Sequence, residues 1–132
     1  MDSERHDAAV VDVVQAHFDA FNAGDIDALM AGFTDDAVFA TGEHLVVGAR
    51  GLRAMFTDAL SSLAPVLEAQ STVVQNGVVA CELVERLTIE GAEFAFPIAA
   101  FYTVRRGQIA RVKVYREGTA RGIAPGEELP LA

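Results

Sequence analysis

Three polar side chains interrupt apolar stretches of this chain: His17 in "VVQAHFDAF", and Glu82 and Arg86 in "ACELVERLT". Thr41 and Arg116 join them as the groups with usable chemistry. An imidazole on an apolar helical face is an acid/base group whose pKa follows its surroundings. A guanidinium facing a cavity stabilises a developing oxyanion or anchors a carboxylate, and a carboxylate beside it can move a proton. Plainer explanations stand next to these. His17 fits a core histidine, and Glu82 with Arg86 fits a sheet ion pair, since neither charge is buried cheaply alone. His44 sits in a glycine loop. His6, His17 and His44 lack a ligand-spaced partner set, so no metal site is expected. The single cysteine, Cys81, excludes an intrachain disulfide and lies in an apolar run that suits a buried, inert thiol.

These residues need elements to position them. Residues 1–7 read as a flexible lead. From Ala8, Val10, Val14, Phe18 and Phe21 recur at helical spacing, with Val11 and His17 beside them. "NAGD" ends that helix and starts another: Gly24 takes the left-handed end and Asp25 the N-cap. Ile26, Leu29, Met30 and Phe33 share one side of the second helix. "TDDAVFATG" reads as a turn and short strand, and "GEHLVVGARG" as a loop or hairpin arm. A third helix carries Leu52, Met55, Phe56, Ala59, Leu60 and Leu63 on its apolar face and stops at Pro65. Four strand candidates follow, separated by "NG", "EGAE" and "RG", which are hairpin signals. The tail, 118–132, is rich in Gly and Pro and lacks periodicity. Helices first and a meander last is the α+β pattern, with one domain over 8–117.

The bulk numbers narrow the function classes. A chain of 132 residues suits one domain with a real core. Its net charge of -9 repels phosphate backbones, so nucleic acid is not an expected partner. No apolar run approaches a membrane span, and the acidic start does not read as a signal peptide, so a cytoplasmic location is expected. A hydrophobic fraction of 52% is high and points to a large core, a cavity or a subunit interface.

"FNAGDIDAL", "FTDDAVF", "GLRAMF" and "FPIAAFYTVRRGQIARV" together resemble the cone-shaped α+β family named after nuclear transport factor 2. That family includes ketosteroid isomerases, limonene-epoxide hydrolases and SnoaL-type polyketide cyclases. The resemblance implies a cone-shaped, curved antiparallel sheet wrapped around three N-terminal helices and enclosing a pocket. It also implies a homodimer through the outer sheet face, and no cofactor. It does not select a reaction, because the fold hosts many functions. The isomerase tyrosine falls on His17, its aspartate base on Thr41 and its second carboxyl on Ala99. The hydrolase arginine falls on Arg86, but its two carboxylate positions read Thr88 and Val114. The cyclase histidine has no counterpart after His44.

Strand alternation then sorts the lining. With Arg86 inward, Glu82, Val84 and Thr88 share its face, and Cys81, Leu83, Leu87 and Ile89 form an apolar outer face suited to a dimer. On the next strand Pro97, Ala99, Phe101 and Thr103 are inner, while Tyr102 is outer. On the last strand Val112, Val114 and Arg116 are inner and Tyr115 is outer. A slip of one residue exchanges Glu85 for Arg86 at the pocket. The expectation is a small-molecule enzyme acting on a compact apolar substrate by proton transfer, in isomerisation, cyclisation or ring opening. His17 and Arg86 are its catalytic candidates. Thr41, Glu82, Thr88, Ala99, Phe101, Val114 and Arg116 are its substrate-binding candidates. The alternatives are a non-catalytic binder of an apolar metabolite and a pure dimerisation module.

Overall fold

The structure, a computed structural model, describes residues 2–116 and 121–122. Helix α1 spans Asp2–Ala23, α2 Ile26–Ala31 and α3 Ala49–Leu63. The strands are β1 Phe33–Thr41, β2 His44–Val47, β3 Val66–Gln75, β4 Val78–Ile89, β5 Ala92–Arg105, β6 Gln108–Arg116 and β7 Arg121–Gly122. Six of them form a curved, unclosed sheet in the order β2-β1-β6-β5-β4-β3, and β7 pairs with β5. This is the expected α+β architecture, with two refinements. The "GEHLVVGARG" arm is a strand, so β1 and β2 form a hairpin between α2 and α3. The sheet is also mixed, because β1 joins β6 in parallel.

The expected lead over residues 1–7 is helical from Asp2 onward. Asp2 and Glu4 lie in the first turn, where negative charge complements the helix dipole. The tail over 118–132 lies outside the described residues apart from β7.

Local chemistry explains the connections. The side chain of Asp25 accepts from the Ala28 amide and caps α2, while Gly24 adopts φ +68° to end α1. The three hairpin turns between β3 and β6, Asn76-Gly77, Glu90-Gly91 and Arg106-Gly107, place both residues at positive φ, the turn that matches strand twist. Two side chains fasten the layers. Asn22 donates from Nδ2 to the Leu67 carbonyl at 2.9 Å and accepts the Leu67 amide on Oδ1 at 2.8 Å, tying α1 to β3. Gln108 donates to the carbonyls of Ala31 and Phe33, tying β6 to the end of α2. The core lies between helices and sheet and includes Val14, Phe18, Leu29, Leu52, Leu83, Ile109 and Val112.

Candidate functional site

On β4 the buried residues are Val79, Cys81 and Leu83, with Val84 also covered. Cys81 pairs with Ala100 and Val79 with Tyr102 on β5, and these in turn face Val114 and Val112 on β6. The inner face of β4 is therefore Val79, Cys81, Leu83, Glu85 and Leu87. The inner face of β5 is Phe94, Phe96, Ile98, Ala100 and Tyr102. The expected register of both strands is corrected by one residue, and that of β6 stands. The physical reason is hydrophobic: Cys81, Leu83 and Leu87 form the more apolar set, and the core takes it. Glu82 and Thr88 are exposed. Glu82 accepts from the Ser71 hydroxyl, and with Ala99 it borders a shallow outer hollow. Phe101 is on the outer face, 39% exposed. Tyr102, expected on the outside, is buried against His17, with ring centroids 5.3 Å apart.

Arg86 is corrected with them. Its guanidinium lies on the outer face between Glu68 at 2.7 Å and Glu93 at 3.0 Å. These partners raise its pKa further, and the set is partly exposed to water. Such exposed pairs contribute about 0–1 kcal/mol. Arg86→Ala is therefore expected to leave ligand binding in the pocket below unchanged and to lower stability by under about 1 kcal/mol in urea unfolding. A larger loss of affinity would place Arg86 back in the site.

The slip brings Glu85 to the pocket. A cavity of about 340 Å³ opens between α3 and the inner face of the sheet. Met55, Phe56, Ala59 and Leu63 of α3 form one wall, and Phe21, Phe39, Leu87 and Phe96 supply apolar lining. Among the described residues, three polar side chains line it: Thr41, Glu85 and Arg116. Thr41 and Arg116 were expected there. Arg116 donates from Nη1 to Glu85 at 2.7 Å and from Nε to the Thr41 hydroxyl at 3.3 Å. Its guanidinium also rests over the Phe96 ring at 5.4 Å, a cation–π contact. Glu85 is the more buried partner, 13% exposed against 36% for Arg116. Val114, also expected at the pocket, is buried on the inner face and does not line the cavity. Parallel pairing of β1 with β6 is what makes the cluster, since it sets Thr41 beside Val114 and leaves Arg116 at the strand end.

His17 occupies a different place. It is 5% exposed, with ring neighbours Phe18, Phe21, Phe33, Phe56 and Tyr102. Burial lowers its pKa to about 4, so the imidazole is neutral near pH 7. Its Nδ1 is buried without a hydrogen-bond partner among the described residues. Burial raises the pKa of Tyr102, with Cys81 and Glu85 adding to the shift, so the phenol is neutral as well. Cys81 is buried, and its pKa is raised by that burial. Among the described residues no three His, Cys, Asp or Glu side chains gather as a metal site. Nor, among them, is any helix long and apolar enough to cross a membrane.

Comparison with known proteins agrees with this geometry. No match was found among curated proteins. Among solved structures, a candidate polyketide cyclase from Xanthomonas campestris pv. campestris is 24% identical, with a TM-score of 0.77 over 83% of this chain and 90% of its own. An M. tuberculosis LEH-like epoxide hydrolase is 18% identical, with a TM-score of 0.79 over 85% of each chain. The epoxide hydrolase/cyclase-like enzyme SalBIII, of pyran ring formation in polyether salinomycin, is 20% identical, with a TM-score of 0.78 over 89% of this chain and 95% of its own. At these identities the likeness concerns the fold. A family model, the SnoaL-like domain, matches residues 14–112, which span α1 from its middle through most of β6. With the helices, the curved sheet and that match in agreement, the chain belongs to the SnoaL-like domain family.

Proposed function

We propose that the protein is a small-molecule enzyme that moves a proton on a compact, largely apolar substrate, with Glu85 as the base and Arg116 as its electrophilic partner. The observation that carries this reading is the pairing of one carboxylate and one guanidinium on the wall of an otherwise apolar cavity. Glu85 commits Oε1 to Arg116, and its second oxygen carries the basic lone pairs. A substrate carbonyl bound to an uncommitted guanidinium N–H would place its α-carbon near that oxygen. Glu85 then takes the α-proton, the C–H electron pair moves to form the enolate, and Arg116 stabilises the oxyanion. Returning the proton to the same or a conjugated carbon completes exchange or isomerisation. The test is deuterium incorporation into a cyclic ketone such as cyclohexanone in D2O, with wild-type protein and Glu85→Gln. Exchange that Glu85→Gln retains in full would remove Glu85 from the reading.

One observation favours a second reading, a non-catalytic binder. Glu85 is already satisfied by an ion pair to Arg116, the arrangement of a structural pair rather than of a free base. Saturable binding of the ketone without exchange would select that reading.

We also infer that the outer sheet face pairs with a second copy of the chain. Phe101, Tyr115 and Val73 are exposed there, and the Phe101 and Tyr115 rings meet edge to face at 5.9 Å. Arg111 and Lys113 of β6 flank Phe101 on one side, and Glu82 and Glu68 of β4 and β3 lie on the other. A two-fold axis along β5 lays the basic half of one copy on the acidic half of the other. Phe101→Glu is expected to shift sedimentation from dimer to monomer, and a monomeric wild type would end this inference.

A further inference from the structure

The inner end of the pocket is closed by two rings, Phe21 and Phe56, whose centroids lie 6.2 Å apart at 84°. Phe56 is the hub of that wall. It meets Phe39 at 5.5 Å and Phe33 at 5.6 Å, and its ring lies 6.4 Å from that of His17. Phe21 also packs on His17, at 6.3 Å. His17 therefore sits one side chain behind the pocket floor. Its other side borders a second hollow of about 280 Å³ between α1 and α2, next to Gly107. The two hollows share no lining residue, and His17, which lines the second, packs against Phe21 and Phe56, which line the first, and against Phe33. There the imidazole Nδ1 is buried and, among the described residues, unpartnered. An unpaired polar atom in the interior is a hydrogen-bonding capacity left unused.

We propose that Phe56 sets the depth of the pocket, and that the space it withholds leads to His17, whose imidazole hydrogen-bonds with any ligand long enough to reach it. The proposal rests on the pocket being the ligand site. It follows from packing: interiors are close-packed, so a phenyl ring held by four other rings yields little to a longer ligand. Phe56 lies on α3, whose face toward the pocket is otherwise small or flexible, Ala59 and Met55 among it. The ring thus decides depth, while the side walls adapt to shape.

Three ketones test this by ligand-observed NMR or calorimetry: cyclohexanone, 4-propylcyclohexanone and 4-(3-hydroxypropyl)cyclohexanone. The cavity of about 340 Å³ has room for all three, so the wild type is expected to bind each of them without preferring the hydroxypropyl tail to the propyl one. Phe56→Ala is expected to bind the hydroxypropyl ketone several-fold more tightly than the propyl one, a preference that Phe56→Ala/His17→Leu abolishes. Because deleting a core phenyl group is destabilising, Phe56→Leu serves as a milder variant and is expected to show part of that preference. A hydroxypropyl preference already present in wild type overturns the proposal while leaving the pocket in place. So does the absence of that preference from both Phe56 variants. If none of the three ketones binds wild type, the pocket reading falls, and this inference with it.

Discussion

Glu85→Gln is expected to lower proton exchange on a bound ketone by roughly 10²–10⁴-fold, the usual contribution of a positioned general base. The substitution keeps the shape of the side chain and removes only its charge and basicity. Folding should survive it. Arg116 loses its carboxylate, but it is 36% exposed and retains the Thr41 hydroxyl and the Phe96 ring. The cost in stability is then limited to about 1 kcal/mol, as for other partly solvated pairs. Ketone affinity should change little, because most of the lining is apolar. Loss of exchange with retained affinity is thus the signature of a base. Loss of both together would make Glu85 a binding residue. Deuterium incorporation followed by NMR, alongside the dissociation constant from the same titration, separates the two.

The fold was legible because its signals are local. "NAGD" carries both a left-handed glycine and an N-cap, and Asn-Gly, Glu-Gly and Arg-Gly each take the turn their residues favour. Arg116 was also readable as a pocket residue, since β6 alternates plainly between Val112, Val114 and Arg116 on one side and Lys113 and Tyr115 on the other, while Thr41 followed from the resemblance, which sets the isomerase base there. "ACELVERLT" resisted the same treatment. Each of its faces carries one ionisable group near the strand end, Glu85 or Arg86, and either can be argued inward. The family resemblance drew Arg86 inward, which sent Cys81, Leu83 and Leu87 to the surface. Burial of those side chains outweighs placement of a single charge, at about 25 cal/mol per Å² of apolar surface. Weighing the whole face before the one arginine was the available signal. The Glu85–Arg116 pair itself was not legible, because it joins β4 to β6 across β5 and depends on that register. Asn22 was equally silent: nothing local marks a side chain that clamps a strand 45 residues away.

His17 is expected to make the protein less stable in mild acid, by about 2 kcal/mol at pH 5 relative to pH 7.5. The sign follows from its two states. In the unfolded chain the imidazole titrates near 6.5, while in the fold burial holds it at about 4. Above pH 6.5 it is neutral in both states, and its contribution is complete. As pH falls through 6.5, the unfolded chain takes up a proton that the native chain refuses. Each pH unit then costs about 1.4 kcal/mol, until the native group also titrates near pH 4 and the loss levels off at about 3 kcal/mol. Among the described residues no carboxylate packs against the ring. Its neighbours are phenyl rings and a neutral phenol, and Asp12 is exposed at the rim of the adjoining hollow. His17→Leu removes the titration and the unpartnered Nδ1 at similar volume. Its urea-unfolding free energy should therefore fall less than that of wild type between pH 7.5 and 5, by the same 2 kcal/mol or so. Carboxylates elsewhere affect both proteins alike and cancel in the difference. Parallel curves for the two proteins would mean that His17 meets protons as readily in the fold as outside it. The aromatic septum behind the pocket would then be open to water, contrary to its closed packing.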